Sequence, residues 1–168
     1  MRFDPELTRR VRELIVARGA RLSLPPPPEL AGMERPGTPE REAVVERVSP
    51  IAEALFLVMS ADGVCQEEER TAIRGAVLTI TDDELNSAVI TSLLDEFHAS
   101  LDAQGLEARL SYVAAQLSGD RVDGAVTLEL AAAVITADGE VHPSERAAME
   151  QLAEEMGVDP DRALALLG

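Results

Sequence analysis

Ile51-Ala52-Glu53-Ala54-Leu55-Phe56-Leu57-Val58-Met59-Ser60-Ala61-Asp62-Gly63 is the stretch on which the fold turns. Residues 50–61 are apolar almost all round, and a helix with no polar face belongs in the middle of a bundle. Glu53 is its one charge before Asp62, and Gly63 supplies a left-handed stop. Sliding the chain against itself by 76 positions without a gap places residues 53–72 on 129–148 with eight identities, Asp62/Asp138, Gly63/Gly139, Glu69/Glu145 and Glu53/Glu129 among them. Self-similarity of this kind indicates an internal duplication. Its second copy is again a nearly all-apolar helix, 124–137, whose lone charge is Glu129.

Composition agrees with helices. Apolar residues make up 46% of the 168-residue chain but aromatics only 2%, so the core must be built from Leu, Val, Ile, Met and Ala. Sheets favour aromatic and β-branched residues, and this mixture suits close helix packing better. The expectation is an all-α protein, one bundle of about seven to eight helices with an internal pseudo-repeat, in which residues 1–48 form an N-terminal helix and Pro-rich arm and 49–168 the helical domain. Asp4-Pro5 opens the first helix and Gly19 closes it, with Val11, Leu14 and Ile15 as its apolar stripe and Arg9, Arg10, Arg12 and Arg18 in water. Those arginines predict electrostatic docking onto acidic parts of the chain or of a neighbour, which leaves a homodimer open. Residues 20–37, with Pro25 to Pro28, read as an extended spacer. Ser49-Pro50 marks a restart or kink. Helices are further expected from Gln66 to about Leu78, from a capping box at Thr81 to Glu84 through about Leu101, over Leu106 to Leu117, from His142-Pro143 to Met156, and from Asp159-Pro160 to Leu167.

Charge restricts the partners. A net charge of -16 would repel a phosphate backbone and an anionic membrane surface, and it favours cations and basic proteins. No apolar run reaches the ~20 residues of a membrane span. One cysteine, Cys65, forms no internal disulfide, and the beginning Met1-Arg2-Phe3-Asp4-Pro5 has no apolar signal-peptide core, so a cytoplasmic location is expected.

Asp62-Gly63 with Glu69 and Asp138-Gly139 with Glu145 share the spacing Asp-Gly-x5-Glu, the tail of an EF-hand loop. The loop's head is missing, because its first ligand position falls on Val58 or Val134 inside the apolar helices. What remains is an Asp at a helix end and a Glu in the first turn of the next helix, able to share one small space. Hard oxygen donors of this kind select Ca²⁺, Mg²⁺ or Mn²⁺. If the two copies pack antiparallel, Glu53 can approach Asp138 and Glu129 can approach Asp62 and complete the sites. The alternative is structural: each Glu accepts backbone N–H groups of its turn, Arg70 and Arg146 neutralise the acids, and a buried Glu53 or Glu129 holds a helix end. Cys65 corresponds to Val141 and reads as a small apolar filler. Phosphate loops, Ser/His/Asp arrangements and HExxH are absent, so no enzyme is expected.

Residues 130–145, with Ala137-Asp138-Gly139, Val141 and Glu145, resemble the signature of the TerB-like tellurite-resistance family, and Met59 to Gly63 with Glu69 resembles it too. The resemblance covers roughly 45–167. It implies an all-helical domain of pseudo-duplicated halves without an established catalytic activity, linked to tellurite and other stress responses, with acidic positions that bind a divalent cation; a non-enzymatic module that also contacts a protein partner is the expectation. Carried onto this chain, those positions are Asp62, Glu69, Asp138 and Glu145. The first turn departs from the pattern at Cys65 and Gln66.

Overall fold

A computed structural model describes residues 4–22, 39–63, 65–119, 121–138 and 140–168. Its elements are α1 (Pro5–Leu22), α2 (Pro39–Met59), α3 (Glu67–Ile80), α4 (Ser87–Gln104), α5 (Leu106–Leu117), α6 (Arg121–Ile135) with a 3₁₀ turn at Thr136–Asp138, α7 (Pro143–Glu155) and α8 (Pro160–Ala165). Every regular element among the described residues is helical, as the composition requires. None of these helices is long and apolar enough to cross a membrane.

The all-apolar stretch lies where its lack of a polar face puts it. Every residue from Pro50 to Ser60 is buried, and α2 packs against α1, α3, α4, α5, α6 and α7. Phe56 is fully buried, with its ring 6.0 Å from that of Phe97 on α4 and edge-on to His98. On α6, Val126, Leu128, Leu130, Ala131 and Val134 are buried, and this helix packs on α1, α2, α3, α5, α7 and α8. Gly124 permits one close approach here, since a Cβ at that position would sit 3.3 Å from a methyl of Val158 and 3.4 Å from Met156.

Four local expectations change. α2 runs through Pro50 without a restart, because the lost N–H removes one bond from a helix held on all sides by packing. α1 continues past Gly19 to Leu22, since a single helical glycine costs only about 1 kcal/mol relative to alanine. Thr81 does not open α4. Its hydroxyl donates to the Val77 carbonyl at 2.8 Å at the end of α3, Asp82 and Asp83 take positive φ, and Asn86 caps α4 by accepting the Val89 N–H at 3.0 Å. Arg18 is buried rather than wet, and Arg10 and Arg12 are half-buried. Of the spacer expected over 20–37, residues 20–22 belong to α1 and the remainder lies outside the described residues.

α1 is attached as its composition suggests. Val11, Leu14 and Ile15 are buried, while Arg10 reaches Glu129, Arg12 reaches Asp82 at 2.9 Å and Arg18 lies 3.8 Å from Asp123.

Candidate functional site

The two turns separated by 76 residues share, in their described residues, one form of helix start. After α2 the chain unwinds through a bond from the Gly63 N–H to the Ser60 carbonyl at 2.9 Å, and Gly63 takes φ +94°, where any side chain would be strained. Gln66 is extended, α3 begins, and Oε2 of Glu69 accepts the Gln66 N–H at 2.5 Å. After α6 and its 3₁₀ turn, His142 is extended, α7 begins, and Oε2 of Glu145 accepts the His142 N–H at 2.7 Å. Nδ1 of His142 lies 2.6 Å from the Ser144 hydroxyl and 3.4 Å from the Ser144 N–H. Each duplicated Glu thus satisfies an otherwise unpaired N–H at a helix start, where the helix dipole also favours a negative charge.

Both turns also face one space. A cavity of about 280 Å³ is lined by Asp62, Gln66 and Glu69 from the first turn, by Glu140, His142 and Glu145 from the second, and by Met59 at the end of α2. Four carboxylate residues therefore border a small volume with no arginine or lysine among the lining residues described. Arg70 turns away to Asp95 and Glu67. Asp62 is exposed, Glu69 half-buried and Glu145 buried, so the cleft grades from wet to dry. The side chain of Asp138, and Gly139, lie outside the described residues.

Cys65 and Val141, equivalent in the two turns, both pack against the hydrophobic core. Burial pushes the Cys65 thiol above its ordinary range, which keeps it protonated and suits it to the role of a filler.

Glu53 and Glu129 lie elsewhere, and the antiparallel cross-supply is corrected. Oε1 of Glu53 accepts Nε of Arg109 at 2.8 Å and Nη2 at 2.5 Å, in a pair where Glu53 is 3% and Arg109 8% exposed. The guanidinium also stacks 4.3 Å over the ring of Tyr112. Burial raises the Glu53 carboxyl above its usual range, and the Arg109 charge offsets only part of that. Glu129 makes two bonds to Arg10, at 2.5 and 3.1 Å, and this contact raises the arginine's pKa. Neither Glu53 nor Glu129 borders the cleft. A charge in an apolar helix needs a counter-ion, and Arg109 of α5 and Arg10 of α1 supply it for these two away from the turns.

Residue reading alone missed Glu140, His142 and Ser144 as cleft residues. Glu140 is the informative one, because it sits between Gly139 and Val141, where the first turn has Val64. Four of the side chains in the donor set are carboxylates, beside Gln66, His142 and Ser144, and oxygen donors of that kind fit a hard cation by chemistry. Among the described residues no three His, Cys, Asp or Glu side chains stand close enough to hold a metal ion together, so water or further ligands would have to complete its shell.

Residues 48–166 match the family model described as Tellurite resistance protein TerB. No curated protein and no solved structure matches the chain.

Proposed function

We propose a function for a chain that belongs to the TerB tellurite-resistance family: a non-enzymatic stress-response module that takes up a divalent cation between its paired acidic turns and contacts a protein partner. The observation that carries this reading is the shared cleft, to whose lining both turns bring carboxylates. Carboxylates gathered around about 280 Å³ favour a cation between them. No three of the described side chains stand close enough to hold an ion together, so two of Asp62, Glu69 and Glu145 at a time would hold it, with water completing the shell. Carboxylate oxygen favours Ca²⁺, Mg²⁺ or Mn²⁺, and a carboxylate has lone pairs enough to cap a helix and ligate a cation at once. A single cysteine with a raised thiol pKa suits a reducing, cytoplasmic setting.

The capping bonds of Glu69 and Glu145 favour a second reading, a metal-free interaction scaffold in which the acids staple the turns. Thermal unfolding of chelator-stripped protein against each ion separates the two. An ion at ~100 times its dissociation constant adds about 2.7 kcal/mol, a rise of roughly 5–10 °C for a chain of this size. The cation reading expects such a shift for one ion, lost in Glu145→Gln and in Asp62→Asn, each compared with its own ion-free baseline because losing a cap lowers that baseline as well. Equal melting temperatures with and without every ion would leave the scaffold.

A further inference from the structure

α1 lies outside the segment that matches the family, yet it closes a face of the bundle built from α2, α3 and α6. Its attachment is ionic as much as apolar. Arg10 makes a two-bond contact with Glu129 on α6. Arg12 donates at 2.7 Å to the Thr79 carbonyl and at 2.9 Å to Asp82, at the C-terminal end of α3, where a helix dipole attracts cations. Arg18 donates to the carbonyls of Arg47 and Gln116 beside Asp123. Residues 4–22 hold five arginines against three acids, in a chain whose net charge is -16. Helix and face are thus complementary in charge as well as in shape, and all of these acceptors except Arg47 belong to the matched segment.

The connection from α1 to α2 is sixteen residues, 23–38, a length that can span up to about 50 Å. A second copy presents the same helix with the same arginines, so it can make every contact that α1 makes within its own chain. Protein concentration against the effective concentration of the tethered helix then decides which helix occupies the groove.

We propose that the α2/α3/α6 face is a docking groove for a basic amphipathic helix, and that its second occupant is the α1 of another copy, exchanged reciprocally in a two-fold dimer. The proposal is independent of any cation at the turns.

Charge reversal across Arg10 and Glu129 tests it, because both side chains are partly exposed and their reversal leaves the apolar core intact. In Arg10→Glu alone, and in Glu129→Arg alone, each α1 meets a like charge in its own groove. Mixed in equal amounts, the two variants offer each other matched partners at both grooves. Light scattering is expected to show the mixture at twice the 18.0 kDa chain mass. Each single variant, and the chain carrying both reversals, is expected at the single mass. A mixture that stays at the single mass overturns the proposal, and so does a single variant that doubles on its own, since pairing at the groove would then not be the cause. Should either chain fail to fold by circular dichroism, the more exposed pair Arg12→Glu and Asp82→Arg gives the same reading.

Discussion

Glu53 and Glu129 occupy equivalent places in two apolar helices 76 residues apart, and the molecule neutralises them in opposite ways. Glu53 is sealed inside, bound by Arg109 and shielded by the helices around α2. Glu129 lies at the edge, with its side chain 26% exposed, and its arginine comes from α1, at 36%. A charge enclosed by the bundle needs a partner within the bundle. A charge at the rim can be left to an added helix, and that contact can then be made and broken without opening the core.

The sharpest way to break this contrast is Arg109→Ala. It leaves a buried carboxylate without its counter-ion, a loss of about 3–5 kcal/mol, which lowers the melting temperature by roughly 10 °C or more. Glu53→Leu combined with Arg109→Met removes both charges and is expected to recover most of that loss, since a buried pair replaced by apolar residues is often neutral. Calorimetry on the single and double variants checks both outcomes.

A smaller effect is expected at the rim. Glu129→Gln should cost about 1 kcal/mol or less at low salt, as partly exposed pairs do. Most of that difference should vanish near 1 M salt, where the Debye length is about 3 Å. Urea unfolding of wild type and variant at the two salt concentrations measures it. If the Glu129 effect persisted undiminished in salt, the rim contact would be as enclosed as the inner one.

The smallest effect lies in the pH dependence. Because the folded-state pKa of Glu53 is raised, the folded chain holds its proton more tightly than the unfolded chain does. The stability so contributed is complete below the ordinary carboxyl value of 4.5 and is lost as pH rises through the raised folded value. Glu53→Gln should therefore flatten the stability profile just above pH 4.5. Chemical unfolding at closely spaced pH values, wild type against variant, reads the change in slope.

Much of this architecture was legible before any coordinates. The residues from Ile51 to Ala61 have no polar side to turn outward, and that alone places α2 at the centre. Asp159-Pro160 announces its helix start by a cap followed by proline, and His142-Pro143 does so by its proline, a residue suited to the first helical position. The structural role of Glu69 and Glu145 was legible as one of two alternatives, and the N–H groups they accept are those of Gln66 and His142, neither of them a customary capping residue. The counter-ions were not legible. Arg109 is 56 residues from Glu53 and Arg10 is 119 from Glu129, and helical periodicity says which way a side chain faces but not which distant arginine it will meet. Thr81 misled because Thr-x-x-Glu suits a helix start, whereas a buried threonine bonded back to Val77 ends one.

The central position of α2 also governs how the molecule comes apart. Its neighbours α3 and α4 are close in sequence, but α5, α6 and α7 arrive late in the chain, and residues 50–59 of α2 have no face that tolerates water while they wait for them. Neither half can therefore persist as a folded remnant of the other. The amide protons of α2 should exchange with solvent only through opening of the whole bundle, so the two halves share one unfolding transition although their motifs repeat.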